Sequence, residues 1–118
     1  GDRVNMRSGP SKGYPVLWYL NRGYPLEVLT TKGEWYKVRD FEGDSGWVAK
    51  KLTDRVPHVV IKKDQVNIRS RPDTASPVVV QVDRGVLFRS LKSRSGWVEV
   101  RHAQGVSGWV ARHLVWGW

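Results

Sequence analysis

The reactive inventory of this 118-residue chain is small: three histidines, eleven carboxylates and no cysteine. Without cysteine there is no thiolate nucleophile, no disulfide and no common structural zinc site. His58, His102 and His113 lack the spacing of metal ligands, and the acidic residues are scattered in turns, with no pair implied by strand periodicity for acid–base work. There is no Gly-x-Ser-x-Gly and no phosphate-cradling glycine loop. These absences point away from an enzyme, a metal centre or a bound cofactor. What remains is the chemistry of binding. Seven Trp and four Tyr accompany 20 Lys+Arg against 11 Asp+Glu, a net charge of +9. Aromatic faces stack on sugars or grip peptides, and a basic surface attracts nucleic acid, anionic lipid or anionic envelope polymer.

The elements that position these residues come in duplicate. Shifted by 62 residues, the chain aligns with itself without a gap, and about 21 of 56 pairs are identical. Val4-Asn5-Met6-Arg7-Ser8 falls on Val66-Asn67-Ile68-Arg69-Ser70, Trp35 on Trp97, and Ser45-Gly46-Trp47-Val48-Ala49 on Ser107-Gly108-Trp109-Val110-Ala111. Two modules are expected, over residues 1–55 and 56–118, with the apolar connector Arg55 to Ile61 running from their boundary into the start of the second. Gly, Pro and Asn interrupt every stretch before a helix could complete three turns, so both modules read as all-β. Strands are predicted near Arg3–Ser8, Pro15–Leu20, Pro25–Thr31, Trp35–Phe41 and Gly46–Lys50, and again 62 residues later. Turns are expected at Asn21-Arg22-Gly23, Lys32-Gly33-Glu34 and Glu42-Gly43-Asp44. The connector is too apolar for a floppy tether and reads as a strand or packed segment. A module of about 56 residues is marginal alone, so the copies are expected to pack closely through it.

Each copy carries Val-Asn-(Met/Ile)-Arg-Ser-x-Pro, then Arg-Gly, x-Trp-x-x-Val-Arg and Ser-Gly-Trp-Val-Ala-(Lys/Arg)-x-Leu. This succession resembles the bacterial SH3 (SH3b) domain, in a tandem that covers essentially the whole chain. The resemblance implies two small SH3-like barrels and a setting in which such modules accompany cell-wall hydrolases, with wall binding by some members. It also implies that Trp35 and Trp97 lie where the eukaryotic SH3 peptide groove carries its Trp. The acidic loop that serves proline-rich ligands in that groove is missing here, since Ser8 to Gly13 holds no acid and Asp73 sits beside Arg71.

Strand alternation places Tyr36 and Val38 on one face and Trp35 with Lys37 and Arg39 on the other; Trp97 likewise accompanies Glu99 and Arg101. Trp35 and Trp97 are therefore expected to face away from the interior, as ligand platforms or as contacts with a neighbouring loop or module. Tyr14 and Tyr24 could join Trp35 in a shallow aromatic cleft, whereas Trp18 and Tyr36 read as core. Gly46, Trp47, Gly108 and Trp109 are expected to define the fold. Residues 1–56 carry ten basic and seven acidic groups and residues 57–118 ten and four, so the first copy is the more aromatic and the second the more basic. The division suggests recognition by the first copy and adhesion by the second. The reading is a non-enzymatic ligand-binding module of the cell envelope, periplasmic or extracellular, its secretion signal removed upstream. Its partner would be peptidoglycan or an anionic wall polymer, or an envelope protein. Alternatives are a nucleic-acid-binding SH3-like barrel and a scaffold regulating a separate hydrolase. No apolar run approaches the ~20 residues of a membrane helix.

Overall fold

The computed structural model describes residues 3–21, 23–54 and 56–117. Arg22 and Arg55, which fall in a predicted turn and at the start of the connector, lie outside the described residues. The chain divides into two compact units, Gly1–Val56 and Pro57–Trp118. Both are all-β and antiparallel, and among the described residues the helical structure is two short 3-10 turns, Lys50–Leu52 and Arg112–Leu114.

Unit 1 is a five-stranded sheet of β1 (Arg3–Arg7), β2 (Val16–Asn21), β3 (Glu27–Lys32), β4 (Trp35–Arg39) and β5 (Ser45–Ala49), in the order β2-β1-β5-β4-β3. Its buried cluster is Val4, Met6, Val38 and Val48, with Leu20, Leu26, Tyr36 and Leu52 packed against it. The alternation of β4 does as expected: Val38 is buried and Tyr36 packs on the core, while Trp35 and Lys37 take the opposite face. Trp18 does not follow its expected place in the core. It is 47% exposed, because β2 is an edge strand with Leu17, Trp18 and Tyr19 all open to solvent.

Unit 2 repeats this frame in β7 (Val66–Arg69), β8 (Val78–Val82), β9 (Leu87–Arg94), β10 (Trp97–Arg101) and β11 (Ser107–Ala111). Two strands are added at the edge, β6 (His58–Ile61) and β12 (Val115–Gly117), giving the order β12-β6-β9-β10-β11-β7-β8. The apolar connector is thus a strand of unit 2's own sheet, paired with β9 on one side and β12 on the other. It adds Val59 and Ile61 to a core that also buries Val66, Ile68, Phe88, Val98, Val100, Val110 and Val115. Both copies carry the same bulge: Leu29 and Leu91 interrupt the pairing of β3 with β4 and of β9 with β10, and both side chains are exposed.

The turns after β4 and β10 are built alike from different residues. In unit 1 the amides of Glu42 and Asp44 donate to Asp40 Oδ1 at 3.0 and 2.9 Å. In unit 2 the Gln104 amide donates to His102 Nδ1 at 3.1 Å. Gly43 and Gly105 follow with φ of 89° and 102°, the left-handed region where a side chain is strained. Burial raises the Asp40 pKa above its ordinary value; the Asp44 and Glu42 amides oppose that rise without cancelling it, and the charges of Asp44 and Glu42 add to it. Folding therefore favours the protonated acid. That contribution is fully present below the unfolded pKa and is lost as pH rises through the raised folded value. Asp40→Asn keeps the acceptor and removes the titration. Its melting temperature should accordingly gain on the wild type between about pH 3 and about pH 6. A difference between the two proteins that stays constant over that range would contradict this account.

Candidate functional site

The outer face of unit 2 is laid out by strand register. Across the sheet, one row places Lys92, Glu99, Trp109 and Arg69 side by side on β9, β10, β11 and β7. The next row holds Arg94, Trp97 and Ala111. Residues opposite one another in an antiparallel pair project to the same face, so both Trp rings share a surface with cations. Trp109 is only 7% exposed although it stands outside the apolar cluster, and the Arg94 guanidinium lies 5.8 Å from its ring centroid. Lys92 approaches Glu99 at 3.9 Å.

At the Trp97 end this face opens into a cleft of about 250 Å³, lined among others by Lys63, Asp64, Arg69, Thr74, Trp97 and His113. Its walls are held by backbone bonds. The Arg69 guanidinium donates to the Ser76 carbonyl at 2.9 Å, which fixes it beside the loop after β7. Buried Ser76 ties that loop internally: its hydroxyl lies 2.9 Å from the carbonyls of both Arg71 and Asp73, and it accepts the Arg71 amide. Asp64 accepts the Arg84 amide at 3.1 Å, so the cleft's carboxylate is engaged with backbone. Two cations, one engaged carboxylate, a hydroxyl and a half-buried indole suit a ligand with a sugar-like face and an anionic group. Among the described residues, no group of three or more His, Asp or Glu is placed to hold a metal ion.

The four aromatics singled out from sequence fall in different places. Trp97 lines the cleft. Trp35 holds the same register in unit 1, half-buried between Lys32 and Ala49 on neighbouring strands. Tyr14 is exposed and its ring covers Gly9, where a Cβ would meet it at 2.5 Å; its carbonyl accepts from Arg7 at 2.9 Å. Tyr24 stacks obliquely on Phe41, centroids 6.1 Å apart, beyond the end of β4 opposite to the one where Trp35 sits. The structure therefore does not bring Tyr24 to Trp35. Alternation and composition singled out the aromatics but missed Lys63, Arg69 and His113, because a cleft wall assembled from β7 and the segments flanking the sheet leaves no local pattern.

Gly46 and Gly108 have a steric reason to be glycine. A Cβ on Gly108 would lie 2.7 Å from the Arg69 carbonyl oxygen and 2.8 Å from Ile68 Cγ2. On Gly46 it would meet Met6 Cγ at 2.6 Å and the Arg7 carbonyl at 3.0 Å. Trp47, by contrast, is half-buried on the outer face between Lys37 and Arg7, outside the unit 1 core.

Two copies of one small antiparallel module, each carrying a Trp at the start of its fourth repeat strand, define a tandem β-module protein. The chain belongs to the bacterial SH3 domain family, whose profile matches residues 1–54 and 62–117. It is 24% identical, over 97% of its length, to the Bacillus subtilis protein named "Putative N-acetylmuramoyl-L-alanine amidase YrvJ". Over 41% of its length it is 33% identical to "Probable cell wall amidase LytH" of Staphylococcus epidermidis. The chain spans 24% of the first relative and 17% of the second. Among solved structures, NlpC2 from Trichomonas vaginalis aligns over 98% of this chain and 44% of its own, at 15% identity and a TM-score of 0.45. Among the described residues, no helix is long and apolar enough to cross a membrane.

Proposed function

We propose that this chain is a non-enzymatic binding module of the cell envelope, acting outside the cytoplasm, that holds peptidoglycan or an associated anionic wall polymer. The observation that carries the reading is the unit 2 cleft, where the Trp97 indole is flanked by Lys63 and Arg69. Relatives named as wall amidases, each several times the length of this chain, support a role in holding a catalytic partner on its polymer. The aromatic enrichment of unit 1 suggested that recognition lies there; the cleft favours unit 2 instead, so Trp97 is the residue to test first.

Co-sedimentation of the purified chain with peptidoglycan, beside a nucleic-acid control, tests this reading. Trp97→Ala should weaken retention about two- to tenfold, the value of one aromatic stacking contact. It should leave the melting temperature nearly unchanged, because the ring lies outside the unit 2 core. Trp35→Ala should do less. Retention should also fall as salt rises, since the screening length shortens from ~10 Å at 0.1 M to ~3 Å at 1 M. Equal retention by wild type and Trp97→Ala would remove the cleft from the mechanism. Binding to nucleic acid but not to wall would replace the reading altogether.

A further inference from the structure

The two copies differ in charge at one cross-strand position, and the difference exposes a site. In unit 1, Glu27 on β3 stands opposite Arg39 on β4, and the pair is closed by an ion pair of 2.6 Å. In unit 2 the same register holds Arg89 on β9 opposite Arg101 on β10. The carboxylate has become a second guanidinium while its partner has stayed Arg. On the far side of Arg89, the added strand β6 places His58 in the same row, and on the far side of Arg101 stands Ser107. Like charges directly opposite in an antiparallel pair repel, with Cβ atoms about 5 Å apart. Among the described residues neither Arg89 nor Arg101 has an ion-pair partner, and both are exposed. The carboxylate next along β10 on this face, Glu99, lies beside Lys92.

We infer that Arg89 and Arg101 form a phosphate-binding site for a phosphodiester-linked anionic wall polymer. This rests on the cell-envelope reading above and names the ligand class for a second site on the same face. Guanidinium forks recognise phosphate and carboxylate bidentately. A planar carboxylate is matched by one fork; a tetrahedral phosphate presents oxygens out of one plane and accepts from two forks on neighbouring strands. Occupancy by an anion removes the repulsion that the bare pair leaves standing. The row contains no Trp, Tyr or Phe, the broad aromatic faces on which successive nucleic-acid bases stack. Along β10 the same face leads from Arg101 past Glu99 to Trp97 and the cleft, so a repeating polyanion can contact both sites.

Arg89→Glu is the test, because unit 1 shows that Glu opposite Arg fits this register. The probe is soluble poly(glycerol phosphate), titrated calorimetrically into the full chain. Two parallel arms use peptidoglycan stripped of phosphate polymers and a single-stranded oligonucleotide of equal phosphate number. Wild type should bind poly(glycerol phosphate) more tightly than the oligonucleotide. Arg89→Glu should lose about tenfold or more of that affinity, the size of a charge-assisted contact, while keeping its melting temperature and its retention on stripped peptidoglycan. Unchanged affinity in Arg89→Glu overturns the site, as does failure of the wild type to bind poly(glycerol phosphate). Equal or tighter oligonucleotide binding with the same Arg89 dependence overturns the wall-polymer assignment. Retention on stripped peptidoglycan is scored separately, so the envelope reading can stand or fall independently of this site.

Discussion

Gly108→Ala should destabilise unit 2 by about 3 kcal/mol, at the upper end of what overpacking by one methyl costs. The residue sits in β11 beside β7, and its added Cβ would fall 2.7 Å from the Arg69 carbonyl oxygen. That oxygen belongs to the strand backbone and cannot swing aside. The other close atom, Ile68 Cγ2 at 2.8 Å, is on a β-branched side chain that is fully buried. Relief therefore requires β7 and β11 to separate, and that separation opens the core around Ile68 and Val110. Backbone strain plays no part, because φ at Gly108 lies outside the left-handed region, so the whole effect is steric. Gly46→Ala should cost less: its nearest neighbour is the flexible Met6 side chain, and the Arg7 carbonyl stands farther off at 3.0 Å. Denaturant unfolding of both variants checks the order. In a module of this size, 1 kcal/mol moves the melting temperature by roughly 4–8 °C, so the difference is readily read. A Gly108→Ala protein as stable as wild type would show that β7 and β11 leave room for a methyl group between them.

The repeat made most of this fold legible. A gapless self-alignment cannot hold unless both copies use the same strands and turns, and the five predicted strands of each copy are found at their places with ends shifted by a residue or two. Alternation in Trp35 to Arg39 was enough to set Val38 inward and Trp35 outward. Trp18 was illegible because alternation says which way a side chain points but not whether anything covers it, and β2 is an edge. The strand β12 was missed because Val115 and Trp116 align with Thr53 and Asp54 of unit 1, which lie in no strand. The Arg89 site was within reach of the sequence, since its signal is the exchange of Glu27 for Arg89 at an otherwise matched pair. Recognising it required the register: only pairing shows that position 27 faces 39 and that 89 faces 101. The cleft is different again. Lys63, Arg69 and His113 come from separated segments, and no local pattern could have joined them.

The same edge asymmetry governs the last expected result, which compares Phe88 with its repeat counterpart Leu26. Phe88 is the largest fully buried side chain among the described residues, 2% exposed on β9, and it lies opposite Val59 of the added strand β6. Its ring meets His102 edge-on with centroids 5.5 Å apart. Phe88→Ala removes the transfer energy of the ring and leaves a cavity walled by a sheet that is tied on both sides, so collapse is limited. A loss of about 3–5 kcal/mol is expected. Leu26 holds the matching place in unit 1, where among the described residues no strand pairs with the outer edge of β3, and it is only half-buried. Leu26→Ala should therefore cost about 1–2 kcal/mol, since only part of the side chain is withdrawn from water in the first place. Unfolding each variant by denaturant, with amide exchange reporting on the two units separately, distinguishes the effects. Phe88→Ala should lower protection in β9, β10 and β6 together, because these strands share one core. Equal costs for the two substitutions would mean that β6 adds little to the burial of Phe88, and that the two units owe their stability to the shared five-strand frame alone.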